Sequence, residues 1–279
     1  MKKGLYIVAT PIGNLGDISA RAQETLENAD IIACEDTRVT KKLFSLLGIS
    51  LKKHFITLHD HNEEEHAQIL INAINQENKV VALVSDAGSP LISDPGYKLI
   101  RHCRQQGIDV YTIPGCCALI CALQLSGLPT NKFMFAGFIP NKDKARKELF
   151  LSLQKLDATL VFYETAPRII KTLKVAQEIF ASREMAVVRE ISKIYEETII
   201  GTATDIIEIF EQKEPKGEIV FMIAPPTEED IPEIDLDSLL RQKLQYLPLK
   251  TAVKEIVTEY GLNKNDVYAK ALEIKNEIN

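Results

Sequence analysis

Closely spaced glycines are what this sequence lacks most clearly. Its thirteen glycines never fall one residue apart, so the chain contains no G-x-G. That excludes the dinucleotide fingerprint, whose paired glycines let a pyrophosphate approach the backbone. No two glycines lie five apart either, which removes the Walker A phosphate loop. The five cysteines include no C-x-x-C pair, and Cys116 and Cys117 are adjacent. An odd set of thiols so placed fits neither a disulfide framework nor a zinc knuckle, and predicts a reducing, cytoplasmic setting. No apolar run approaches the roughly 18 residues of a membrane span, so no membrane partner is expected. Met1-Lys2-Lys3 precedes only a short apolar stretch, Leu5 to Ala9, which is too brief for a signal-peptide core. An excess of positive charge is missing too: 33 Lys+Arg stand against 39 Asp+Glu, a net charge of -6. A surface that grips nucleic acid everywhere is thereby excluded, whereas a local basic groove is not.

What is present is a folded chain of 279 residues, 46% hydrophobic and 26% charged, with room for two domains. Leu5–Ala9, Ile31–Cys34, Val80–Val84 and Val110–Ile113 are short apolar runs suited to strands buried on both faces. Helical patterns lie between them at Ala20–Asn28, Thr40–Leu47, Glu63–Gln76 and Tyr97–Gln106. This alternation predicts an α/β fold with a mainly parallel sheet over residues 1–126. In open α/β sheets ligands bind beyond the carboxyl ends of the strands. Here those ends run into Thr10-Pro11-Ile12-Gly13-Asn14, Glu35-Asp36-Thr37-Arg38, Ser85-Asp86-Ala87-Gly88-Ser89-Pro90 and Pro114-Gly115-Cys116-Cys117-Ala118. Polar turn residues explain any one such loop; four together point to a site.

Ser126 to Asn131 is rich in turn residues and marks a boundary. A second α/β domain with a mixed sheet is expected over 127–227. Its strands are read at Phe133–Phe138, Thr159–Tyr163, Ala186–Val188, Glu197–Ile200 and Glu218–Ile223, its helices at Lys144–Leu156, Pro167–Phe180 and Thr204–Gln212. Glu228 to Asp237 holds six acids and no base, which reads as a linker. A small helical region follows over 237–279, with patterns at Leu236–Gln245, Thr251–Tyr260 and Lys264–Lys275. Thr251 to Tyr268, with Gly261 in the turn, has the outline of a helix-turn-helix; ordinary helix packing is the preferred reading.

Several segments together exceed generic α/β patterning. The run Leu5 to Ile18, with Thr10-Pro11-Ile12-Gly13-Asn14 at its centre, resembles the amino-terminal signature of the small-subunit methyltransferase I family of ribosomal RNA methyltransferases. Glu35-Asp36-Thr37-Arg38 is similar to its second motif, and Ser85 to Gly96 to its third. His61-Asn62-Glu63, Gly137-Phe138-Ile139-Pro140, Tyr163 to Arg168 and Arg189 to Lys193 resemble further segments in the same order. The resemblance covers essentially the whole chain. It departs from the pattern at Cys116-Cys117 and at Thr165-Ala166, where small residues replace small residues.

The resemblance implies the two-domain tetrapyrrole-methylase fold and S-adenosylmethionine as cofactor. It also implies methylation of a cytidine 2′-oxygen in 16S ribosomal RNA by a homodimer. The net charge of -6 and the small set of candidate basic residues favour the structured 30S particle over a short free RNA as substrate. Pro11, Asp86, Ala87, Gly88, Cys117, Ala118 and Tyr163 are then the expected cofactor contacts. A ribose hydroxyl is a weak nucleophile and calls for a base, for which Asp36, Glu190 and Lys193 are the candidates. Lys193 would serve if burial or cationic neighbours lowered its pKa. Arg38 and Arg168 suit bidentate phosphate contact, and Lys142, Lys144, Arg146 and Lys147 form one basic stretch that could face RNA. An ordinary ion pair is the plain alternative for each of these charges.

Three other functions compete. A sister methylase acting on a tetrapyrrole or a protein would share the fold. The residues His59-Asp60-His61-Asn62-Glu63-Glu64-Glu65-His66 invite a metal-dependent hydrolase, although Glu63 onward reads as the acidic first turn of a helix, and no metal is expected. A non-enzymatic RNA-binding module built on 237–279 is the third.

Overall fold

The protein is described by a computed structural model covering residues 1–59, 62–227, 236–260 and 263–278. In chain order the first sheet comprises β1 (Gly4–Val8), α1 (Ala20–Asn28), β2 (Ile31–Cys34), α2 (Thr37–Leu46), β3 (His54–Thr57), α3 (Glu63–Glu77), β4 (Val80–Val84), α4 (Tyr97–Gln105) and β5 (Val110–Ile113). After α5 (Ala118–Ser126) come β6 (Phe133–Phe138), α6 (Asp143–Leu153), β7 (Thr159–Thr165), α7 (Ala166–Phe180), β8 (Met185–Arg189), β9 (Glu197–Gly201), α8 (Ala203–Gln212) and β10 (Glu218–Ile223).

The first sheet has the order β3-β2-β4-β1-β5, and every pairing is parallel. The second has the order β6-β7-β10-β8-β9; β6 and β7 pair in parallel and the rest antiparallel, so it is mixed as expected. Both bury both faces, and the strand period of two sorts side chains between them. On β4, Val81 and Leu83 join one core while Val80, Ala82 and Val84 join the other. On β10, Ile219, Phe221 and Ile223 pack towards α6, α7 and α8, whereas Val220 and Met222 pack against Leu119, Ala122 and Leu123 of α5. Helix α5 therefore lies on the second sheet, although it precedes the turn-rich break at Ser126. Residues Met1–Pro226 form one compact unit.

Two differences from the sequence reading have local causes. The strand β3 escaped notice because His-Phe-Ile-Thr is short, sits at a sheet edge and lacks the apolar run of its neighbours. Helix α2 starts three residues before its apolar pattern because Asp36 caps it, accepting the Arg38 amide at 2.7 Å.

Residues Thr227–Asn279 form the other compact unit. Its helices α9 (Leu236–Leu244), α10 (Leu249–Tyr260) and α11 (Lys264–Ile278) enclose a core of Leu240, Val253, Ile256, Val267, Ala271 and Ile274. Most of the acidic linker, residues 228–235, and the turn residue Gly261 lie outside the described residues.

Helix α4 has no side-chain cap from its own N-cap residue, Gly96. Buried Glu63 supplies one from α3, accepting the amides of Gly96, Lys98 and Leu99 at 3.1, 2.7 and 3.2 Å. The carboxylate thus meets the positive end of α4 and pins α3 beside it. Glu63→Ala leaves these amides buried without a partner. Chemical denaturation should show a loss of about 2 kcal/mol, and an unchanged midpoint would contradict this role.

Candidate active site

The carboxyl edge of the first sheet forms one wall of a cavity of about 390 Å³, within the size range of small-molecule sites. Two backbone hydrogen bonds between Thr10 and Gly88, 2.9 and 3.1 Å, tie the loops after β1 and β4 together. The Asp36 amide donates to Asp86 Oδ1 at 3.0 Å, joining the loop after β2. Ser89 Oγ donates to the Cys116 carbonyl at 2.9 Å, joining the loop after β5. All four loops singled out in the sequence therefore interlock.

The opposite wall comes from the second sheet: Tyr163, Glu164 and Thr165 of β7, and Gly217 to Val220 at the start of β10. Six of the seven expected cofactor contacts line the cavity: Asp86, Ala87, Gly88, Cys117, Ala118 and Tyr163. Pro11 does not; its neighbour Ile12 does, and Ile12 also packs against the α5 core of the second sheet. Tyr163 packs edge-on to Phe135 and Phe138, with centroids 4.8 and 5.4 Å away. Burial pushes its hydroxyl up to about 12, so it stays protonated at neutral pH.

Charge in the cavity is one-sided. Glu35, Asp86, Asp94, Glu164 and Glu218 line it, with no lysine or arginine among the described lining residues. Glu164 is held by Arg168 Nε at 3.2 Å and Glu218 by Lys193 Nζ at 2.9 Å. Among the groups that shift Asp94 there is no cation, whereas the Arg38 charge acts on Asp86. Burial, then Glu35 and Asp86, push the Asp94 carboxyl up to about 6, against a lowering hydrogen bond from Ser85. Burial likewise raises Asp86. The loop carrying Asp94 is bent sharply: Leu91 and Ser93 adopt φ of 74° and 69°, left-handed values that cost a non-glycine residue energy. Glu35 and Asp94 both fall within segments singled out in the sequence, but neither reads there as a site residue.

The three candidate bases fare differently from expectation. Hydrogen bonds from Arg38 hold Asp36 down at about 2, and Asp36 is not among the cavity-lining residues. Lys193 Nζ sits 2.9 Å from both Glu190 and Glu218. Burial alone would lower the ammonium, but these two carboxylates outweigh it and the net shift is upward. The condition under which Lys193 would serve as base, a lowered pKa, is therefore not met, and the ion-pair alternative holds. Glu190 is lowered in turn: burial opposes this, but Lys193 and the Glu218 amide prevail. This clasp needs Gly217, since a Cβ there would lie 2.1 Å from Glu190 Oε1. Ser192 Oγ donates to Asp17, fastening the Arg189–Lys193 turn to the loop after β1.

The basic residues divide as well. The Arg38 side chain is 89% exposed and paired with Asp36, and Lys142 and Lys144 are exposed at the start of α6. Arg146 is 1% exposed, bound to Asp143 at 3.0 Å and to the Asn141 carbonyl at 3.2 Å, so it does not face RNA. Arg168 donates to the Ile139 carbonyl and pairs with fully buried Glu164. It knits the Gly137–Pro140 and Tyr163–Arg168 segments together instead of offering its guanidinium to phosphate. Asp60 and His61 of the histidine-rich segment lie outside the described residues. Glu63 caps α4, His102 holds Glu64 at 2.9 Å, and His66 faces the Thr57 carbonyl.

A raised carboxyl means that the ionised form burdens the native state. For Asp94 this cost grows as pH climbs from the ordinary aspartate range to about 6, and is complete above it. Asp94→Asn should accordingly raise Tm at pH 7.5, and raise it less at pH 5. Equal shifts at the two pH values, or a loss at pH 7.5, would contradict the assigned environment.

Residues 4–207 match the family model described as Tetrapyrrole (Corrin/Porphyrin) Methylases. Residues 230–275 match that of the RsmI C-terminal HTH domain, so helix-turn-helix replaces ordinary packing as the reading of Thr251–Tyr268. A protein of Erythrobacter litoralis, Ribosomal RNA small subunit methyltransferase I, is 47% identical over 99% of this chain and 96% of its own length. The same-named protein of Rickettsia prowazekii is 43% identical over 97% and 94%. Among solved structures, diphthine synthase superposes with a TM-score of 0.63 at 15% identity, covering 81% of this chain and 92% of that one. A cobalt precorrin-4 methyltransferase gives 0.58 at 15%, covering 79% and 94%. These two share the fold. No described helix is long and apolar enough to cross a membrane. By sequence along its whole length, the chain belongs to the ribosomal RNA small subunit methyltransferase I family, and it is a methyltransferase.

Proposed function

We propose that this methyltransferase uses S-adenosylmethionine to methylate a cytidine 2′-oxygen of 16S ribosomal RNA in the 30S subunit. The observation that carries the cofactor is the acid-lined cavity. Five lining carboxylates, with no lysine or arginine among the described lining residues, disfavour phosphate and favour a cation. S-adenosylmethionine is such a ligand, and supplies an electrophilic methyl group on a positively charged sulfur. Asp86, oriented by the Asp36 amide, is suited to a polar contact with its amino or ribose groups. Ala87, Gly88, Cys117 and Ala118 offer backbone and small side chains, and Tyr163 an aromatic wall, for its uncharged parts.

RNA as substrate is supported by the named relatives, and the ribose oxygen by the motif resemblance. Of the basic residues singled out in the sequence, Arg38, Lys142, Lys144 and Lys147 are exposed and are the ones left for phosphate contact. So few contacts favour a structured particle over a short free strand. The helix-turn-helix tail suits a further RNA contact. A homodimer is supported by an apolar patch: Ile120 and Phe133, 42% and 43% exposed, flank one shallow depression, and Ile200 approaches it beside Gly127. A cytoplasmic site of action accords with this substrate.

Calorimetry tests the cofactor assignment. Asp86→Ala should lose S-adenosylmethionine affinity by at least tenfold, the scale of one charge-assisted hydrogen bond. Unchanged affinity would refute the cavity as cofactor site.

A further inference from the structure

We propose that Asp94 is the general base of this site, taking the proton of the ribose hydroxyl as that oxygen is methylated. This rests on the function proposed above. In the step, the hydroxyl O–H bond breaks and its proton passes to an Asp94 carboxylate oxygen. The oxygen–carbon bond forms as the sulfur–carbon bond breaks, and that bond's electron pair returns to sulfur, leaving a neutral thioether.

Position is the first argument. Asp94 lines the cavity, while Asp36 does not, and Glu190 and Lys193 neutralise each other beside β10. Freedom is the second. Glu164 and Glu218 also line the cavity, but each has a cation in contact, whereas the groups that perturb Asp94 include none. The charged and titratable groups facing it are Glu35 after β2, Asp86 after β4 and Tyr163 on β7, with the Ser85 hydroxyl bonded to it. Construction is the third. The left-handed residues Leu91 and Ser93 hold the loop in a shape that a plain connection from β4 to α4 would avoid. A carboxylate that titrates at about 6 is ionised at neutral pH yet more basic than an ordinary aspartate.

The test uses the full chain, S-adenosylmethionine labelled in its methyl group, and 30S subunits from a strain lacking this modification. Asp94→Asn should cut the transfer rate at least a hundredfold while calorimetry gives cofactor affinity within threefold of the parent. The parent's rate should rise with pH through a limb near 6, which the variant lacks. In the protein alone, carbon-13 NMR should show the Asp94 carboxyl titrating near 6. Asp94→Glu keeps a carboxylate and should retain part of the rate with a shifted limb, so it serves if the amide variant folds poorly. A variant as active as the parent, or one whose pH limb is unchanged, overturns the role. Loss of cofactor affinity makes Asp94 a binding residue and also overturns it. A parent that binds cofactor but methylates no RNA refutes the underlying function instead.

Discussion

The two hydrogen bonds between Thr10 and Gly88 are the join on which the site depends. Strands β1 and β4 are neighbours in the sheet, but nothing in their pairing requires the loops beyond them to stay together. Once those loops are bridged, Ile12 reaches the α5 core of the second sheet, and Asp86 comes within reach of the Asp36 amide. Ser89 then engages Cys116 at the entrance to α5. One short antiparallel contact thus fixes a wall assembled from segments far apart in the chain. The second sheet answers with its own clasp, in which Glu190, Lys193 and Glu218 are drawn together against Gly217.

Electrostatics follows from this assembly. Crowding carboxylates costs free energy unless a cation neutralises them, and desolvation raises that cost. Elsewhere in the molecule the cost is offset locally, by Arg168 on Glu164 and by Lys193 on Glu190. At Asp94 no cation is among the groups that shift it, and burial and two carboxylates raise it. A protein stable enough to tolerate the arrangement gains a cavity that prefers a positively charged ligand, and a carboxylate made basic by its surroundings. Stability is given up at the place where binding and proton transfer need it least.

Much of this was legible in the sequence. Apart from the edge strand β3, both sheets could be read from apolar runs, and most plainly at β4 and β8, which are buried on both faces and carry no polar interruption before Arg189. The four loops could be read because strand ends are where such folds bind ligands. Asp94 could not. Its basicity arises first from burial, then from Glu35, which the β2-β4 pairing brings to it, and from Asp86 of its own loop. Arg146 and Arg168 misled for the converse reason: a basic residue in a charged run gives no sign that its guanidinium folds inward onto backbone carbonyls. Lys193 was placed correctly in a motif, yet its two carboxylate partners, one of them on β10, reverse the pKa shift that burial alone suggests.

The central claim is that the cavity between the two sheets directs a methyl group to a ribose oxygen of small-subunit RNA. It is tested most directly by incubating unmodified 30S subunits with the protein and labelled S-adenosylmethionine, then digesting the RNA to nucleosides for mass spectrometry. A single labelled product, cytidine methylated on its 2′-oxygen, is the expected result. Label on a base, on ribosomal protein, or nowhere in the particle would contradict the account.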